Sequence, residues 1–233
     1  MPQVRHLLPP EATAEIERAV AQAESQTSAE IVVALAGRSG RYHRAADLFG
    51  LCLALLAVSA AWLAWQNLAP DPRDWHTGIV PALGLPTVLL IFAAWYLGGS
   101  LAATHFPTLA RPFMTRAERL AAVRRRGTEA FHTLRVARTH NATGLLIFVS
   151  LFERSVWVCP DDAIGAKLGE EAWKPVSEII AEGFRSKNPG PALAAAVRKA
   201  GQTLSTHFPR SPTDTNELTD TVRILNNPGR HQD

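Results

Sequence analysis

Cysteine is scarce in this sequence: its two, Cys52 and Cys159, make neither a disulfide framework nor a pair at metal-ligand spacing. Both are expected to be packing residues. The eight histidines are scattered, with no helical pair at zinc-ligand spacing, and no serine lies in a G-x-S-x-G context, so neither a zinc site nor a hydrolase nucleophile is indicated. Gly37 to Gly40 reads GRSG, too poor in glycine for a phosphate loop and without its Lys-Ser/Thr. The start, MPQVRHLLPPEAT, lacks the apolar core and cleavage site of a secretory signal, so the chain is expected to begin in the cytoplasm. A net charge of +3 is small, and the arginines gather beside apolar runs rather than along a groove, which argues against a nucleic-acid partner.

Charge itself is missing from two long stretches. Leu48 to Trp65 and Ile79 to Thr104 contain no charged side chain, and at ~1.5 Å of rise per residue each can cross a hydrocarbon core of ~30 Å. The pair reads as a membrane hairpin, with a buried hairpin of a soluble core as the alternative. Trp62, Trp65, Trp95 and Tyr96 lie toward segment ends, where amphipathic rings favour the headgroup level. Pro81 and Pro86 fall in the second segment, where membrane helices tolerate them. The intervening loop holds one arginine, Arg73, against Asp71 and Asp74. The outer flanks hold Arg38, Arg41 and Arg44 on one side and Arg111, Arg116, Arg119 and Arg124 to Arg126 on the other. That asymmetry predicts both termini in the cytoplasm. The arginine triplet is read as an orientation signal on a solvated face, with anionic lipid binding as the other possibility.

Around the hairpin, periodicity predicts an amphipathic helix from about Glu11 to Gln26 and a buried strand at Glu30 to Ala36. Thr115 and Glu118 make a capping-box pattern opening a helix that runs on through Leu134. Leu145 to Leu151 and Val156 to Cys159 read as a β-hairpin about the polar turn Glu153-Arg154, ended by Pro160-Asp161-Asp162. Helices follow at about Glu170 to Ser186, with Pro175 in the first turn, and at Ala192 to His207, separated by a break at Asn188-Pro189-Gly190-Pro191. From Arg210 onward the chain is polar and proline-rich, with only Val222 to Leu225 able to pair or dock. One strand on the first side and a two-stranded ribbon on the second cannot bury their own faces, so the two sides should share one sheet.

The segments PPEATAEIERAVAQAESQTSAEIVVALA and NATGLLIFVSLFERSVWVCPDDAIGAKL, followed by a helix, a Pro-Gly break and a final helix, resemble the TPM domain family over about residues 8 to 37 and 128 to 208. The resemblance implies an α/β fold: an α/β/α sandwich on a small mixed sheet, here interrupted by a two-helix transmembrane hairpin. Residues 1-47 and 105-208 would be the two parts of the domain, 48-104 the hairpin, and 209-233 a mostly disordered tail. For some members it implies metal binding and weak acid phosphatase activity. The family's Asp-Asn-Gly falls on Ala142, Thr143 and Gly144, its Gly-Tyr-Gly-Leu-Glu on Asp161 to Gly165, and its first acidic motif on His6 to Pro10, so most of the acids are absent. Asp161 and Asp162 remain as candidate ligands for calcium or another divalent cation, against a plain Asx-type turn after Pro160. Asp214, Asn216, Glu217 and Asp220 only superficially suggest a calcium loop, because Thr219 stands where its glycine belongs. The expected function is therefore a non-catalytic interaction module, without cofactor, at the inner face of a bacterial inner membrane. Its expected partners are the lipid bilayer and a membrane or cytoplasmic protein. The alternative is a divalent-cation-dependent acid-phosphatase-like hydrolase.

Overall fold

A computed structural model describes residues 8–66, 83–139, 141–211 and 217–226. The hairpin loop with Arg73, the start of the second apolar segment with Pro81, His6 and Leu7, and Asp214 and Asn216 lie outside the described residues. Two compact units emerge, Met1–Gly40 with Ala117–Asp233, and Arg41–Arg116.

The first unit is built on strand β1, Glu30–Ala36, whose seven residues are all buried. Because alternate side chains face opposite sides of a strand, burial throughout requires cover on both faces. Strand β2, Gly144–Ser150, is likewise buried throughout and pairs parallel to β1 in register from Glu30–Gly144 to Ala36–Ser150. Strand β3, Ser155–Pro160, returns antiparallel beside β2. The mixed sheet has the order β3-β2-β1-β4, where β4 is Arg223–Leu225 and lies parallel to β1 opposite Ala34–Ala36. The two sides of the insertion do share one sheet.

Alternation then sorts the core. Ile31, Val33, Leu35, Leu145, Ile147 and Val149 face one layer, formed by α1 (Pro10–Glu24), α5 (Asp162–Leu168), α6 (Lys174–Arg185) and α7 (Pro189–His207). Val32, Ala34, Ala36, Leu146 and Phe148 face the other, where α4 (Arg116–Thr133) supplies Val123, Ala130 and Phe131. The result is an α/β/α arrangement. The arginine triplet does not present one solvated face: Arg124 stacks on the Trp157 ring at 4.7 Å, Arg125 is exposed, and Arg126 donates to the carbonyl of Asn226 at 2.9 Å.

Three expectations need correction. Helix α1 ends at Glu24 rather than Gln26, because Thr27 turns away to donate its hydroxyl to the Phe208 carbonyl at 2.5 Å. Residues after Pro160 form the short helix α5, capped by Asp161 and stopped at Gly169, whose φ of +69° suits glycine. Helix α7 begins at Pro189 rather than Ala192, since prolines in a first turn lack only an N–H that has no helical partner anyway. In the tail, the stretch Val222 to Leu225, read as able to pair or dock, supplies β4.

The second unit contains α2, His43–Gln66, and α3, Leu85–His105, with Pro86 in its first turn. Both are long and apolar enough to cross a membrane, with mean hydropathies of 2.1 and 1.7. They cross tightly at glycines: a Cβ on Gly50 would stand 2.6 Å from the Tyr96 carbonyl oxygen, and one on Gly99 2.9 Å from Gly50 Cα. Small residues allow helix backbones to approach where apolar burial cannot drive association. Ser100 donates to Asp47 Oδ1 at 2.7 Å across the same pair.

Replacing Arg41–Arg116 by a flexible linker should leave a soluble domain with a single unfolding transition in denaturant. Two separate transitions would show that the halves do not share their sheet.

Candidate functional site

The two segments marked by the resemblance meet at the end of the sheet where β2 begins. The Asp161 N–H donates to the Gly144 carbonyl at 2.8 Å, and the Ala163 N–H to the Ala142 carbonyl at 3.2 Å. Ala142 adopts a left-handed φ of 52°, and Thr139 Oγ1 accepts from the Thr143 N–H at 2.9 Å, which shapes the entry to β2. Gly144 is sterically required, since a Cβ there would lie 2.3 Å from the Val136 carbonyl oxygen.

The aspartates part company at this point. Asp161 is buried and extended, and its Oδ1 accepts from the Asp162 N–H at 2.9 Å as the N-cap of α5. Its Oδ2 is buried without a hydrogen-bond partner. Asp162 points into solvent from the first turn. A hard cation such as calcium takes six to eight oxygens, and among the described residues no three His, Cys, Asp or Glu side chains gather to hold a metal ion. The donors beside Asp161 do not fit that group.

At the opposite end, where open α/β sheets usually receive ligands, the polar groups bind one another. Glu153 Oε1 accepts from the N–H groups of Ser39 at 3.0 Å and Gly40 at 3.2 Å, and its Oε2 accepts the Ser150 hydroxyl. Ser39 Oγ in turn donates to Ser150 Oγ at 2.7 Å. Ser39, Ser150 and Glu153 are all buried, so this arrangement pins the chain after β1 to the β2–β3 turn. The sequence marked Glu153 only as part of a polar turn.

A third polar group went unnoticed in the sequence. A cleft of about 60 Å³ is lined by Glu24, Thr27, Glu30, Arg210 and Asp220. Glu24 Oε1 accepts from the Ile31 N–H at 2.8 Å, whereas its Oε2 is buried without a partner. Burial pushes the Glu24 carboxyl up to about 8, and the charges of Glu30 and Asp220 push the same way. Asp220 faces Glu24 as a second carboxyl, so the two can hydrogen-bond only by sharing a proton. One signal was legible: Glu24 ends α1, where the helix dipole disfavours an acid. The cysteines form no site; Cys52 and Cys159 are both free, and burial pushes the Cys159 thiol up.

Substitution should separate these roles. Asp161→Ala removes a cap and should cost about 1 kcal/mol, while exposed Asp162→Ala should change stability by less than about 0.5 kcal/mol. Glu153→Ala strands two buried N–H groups and should cost about 3 kcal/mol or more. Denaturant midpoints of the three variants check the order.

No family model and no curated protein matches the chain. Among solved structures, it is similar to the NMR structure of BA42 protein from the psychrophilic bacterium Bizionia argentinensis, with a TM-score of 0.55 and 18% identity. The likeness covers 94% of this chain and 95% of that one. At that identity it shows the fold alone, and that fold is of the TPM-domain type.

Proposed function

We propose that this chain is a membrane-anchored member of the TPM domain family whose α/β domain docks a protein partner at the inner face of the membrane, without catalysis. The observation that carries the non-catalytic reading is the composition of the site the resemblance marks. Its two segments come together, but they bring Ala142, Thr143, Gly144 and Gly165 with a single buried carboxylate, Asp161, already used as a helix cap. Phosphoryl transfer needs a metal or a cationic clamp beside a positioned nucleophile, together worth several kcal/mol of barrier. Alanine and glycine side chains supply neither.

The anchoring reading is supported by side chains that water would not leave uncovered. Leu55, Leu56 and Leu63 on α2 and Leu85, Leu89 and Leu90 on α3 are each more than half exposed within the hairpin's own unit. A continuous apolar surface of that kind suits lipid. The excess of arginine on the outer flanks over the loop supports cytoplasmic termini.

A reporter fused after Asp233 should therefore behave as cytoplasmic, and one inserted near Asp71 as external. An external C-terminal reporter would reverse the orientation. Hydrolysis of a chromogenic phosphate ester by the full chain should not rise with calcium, magnesium or manganese. Metal-dependent turnover that disappears in an Asp161→Ala/Asp162→Ala variant would replace the docking reading with the hydrolase.

A further inference from the structure

The structured part of the tail is held by carboxylates of the domain body that grip its backbone. Glu30 accepts from the N–H groups of Glu217 at 3.1 Å and Leu218 at 3.3 Å, Glu17 accepts from that of Val222 at 3.1 Å, and Arg126 donates to the Asn226 carbonyl. Leu218 and Leu225 pack on one core cluster and Val222 on the other, and β4 covers three residues of the β1 edge. In the middle of this segment Asp220 enters the cleft opposite Glu24. Two carboxyls are thus brought face to face by closure of the tail, and a third, Glu30, stands beside them.

We propose that residues 217–226 form a strap over the β1 edge whose closure depends on a proton held between Glu24 and Asp220, and that loss of this proton to water releases the strap. The groups facing Glu24 are Asp220 on the strap, Glu30 and the Ile31 N–H on β1, and Arg210 beyond α7, whose guanidinium donates to the Glu24 carbonyl rather than to its carboxyl. Where α7 crosses the end of α1 it presents uncharged Gly201 to Ala23. With Glu24 ionised, no remaining hydrogen can bridge it to Asp220, and their charges repel across a narrow cleft. Release bares the backbone of Ala34–Ala36, an edge of the kind to which an extended peptide can add as a strand.

The sign follows from linkage. Glu24 is protonated in the closed state up to about pH 8, whereas its ordinary value is 4.5. Burial is the largest cause of that rise, and only the part added by the strap and its Asp220 charge differs between closed and open states, so closure is most favoured at low pH and weakens as pH rises toward about 8.

Hydrogen exchange of the full chain in lipid nanodiscs, followed on the peptide covering residues 217–226 and corrected for intrinsic pH dependence, tests this. Between about pH 6 and about pH 9, protection of that peptide should fall by about twofold or more in the native chain. Glu24→Gln, neutral throughout, should remain protected at the higher pH, and Asp220→Asn should lose most of the fall. Protection that does not change with pH in the native chain, or that falls equally in both variants, would overturn the proposal. If Glu24→Gln proves poorly folded, Asp220→Asn alone decides between the outcomes.

Discussion

Everything in the domain depends on the parallel pairing of β1 with β2, two strands separated in sequence by the whole apolar hairpin. Each has seven residues, all buried. Pairing satisfies the backbone between them and, through alternation, aligns two apolar surfaces at once: Ile31, Val33, Leu145 and Ile147 toward α1 and α7, and Val32, Ala34, Leu146 and Phe148 toward α4. Loop closure cost grows only slowly with loop length, by about 0.6 kcal/mol per doubling. An insertion between β1 and β2 is therefore compatible with a common sheet.

The polar groups around that sheet follow one pattern, in which carboxylates accept backbone N–H groups at places where strands or helices begin or end. Glu153 holds the chain after β1, Asp161 caps α5, Glu24 takes the Ile31 N–H near the start of β1, and Glu30 and Glu17 hold the tail. Such charge-assisted bonds are stronger than neutral ones, and each removes a carboxylate from other work. That accounts for a domain with many buried acids and, among the described residues, no ligand cluster for a metal. Glu24 departs from the pattern because its second oxygen has no donor and faces other acids, so its burial raises its proton affinity.

The apolar hairpin obeys a different rule. Glycines at positions 50 and 99 allow contact between the helices, while leucines point outward. In a soluble core the large side chains would face inward and the small ones would be incidental. Here the arrangement leaves the large apolar side chains uncovered on two helices long and apolar enough to cross a membrane.

Much of this was legible in the sequence because it rests on local pattern. The strand Glu30–Ala36 was delimited by its β-branched run, the hairpin of β2 and β3 by the polar turn at Glu153-Arg154, and the two long helices by the absence of charge. The need for a shared sheet followed from counting strands that could not cover themselves. Short helix α5 was missed although Asp161 and Gly169 bracket it, because seven residues carry too little periodicity to stand out. What only tertiary structure decided was pairing at long range: the register of β1 on β2, docking of β4 on the β1 edge, and the meeting of Glu24 with Asp220. Periodicity reports which face of an element is apolar, whereas the identity of the group opposite a given side chain is set by chain segments nearly two hundred residues away, as with Glu24 and Asp220.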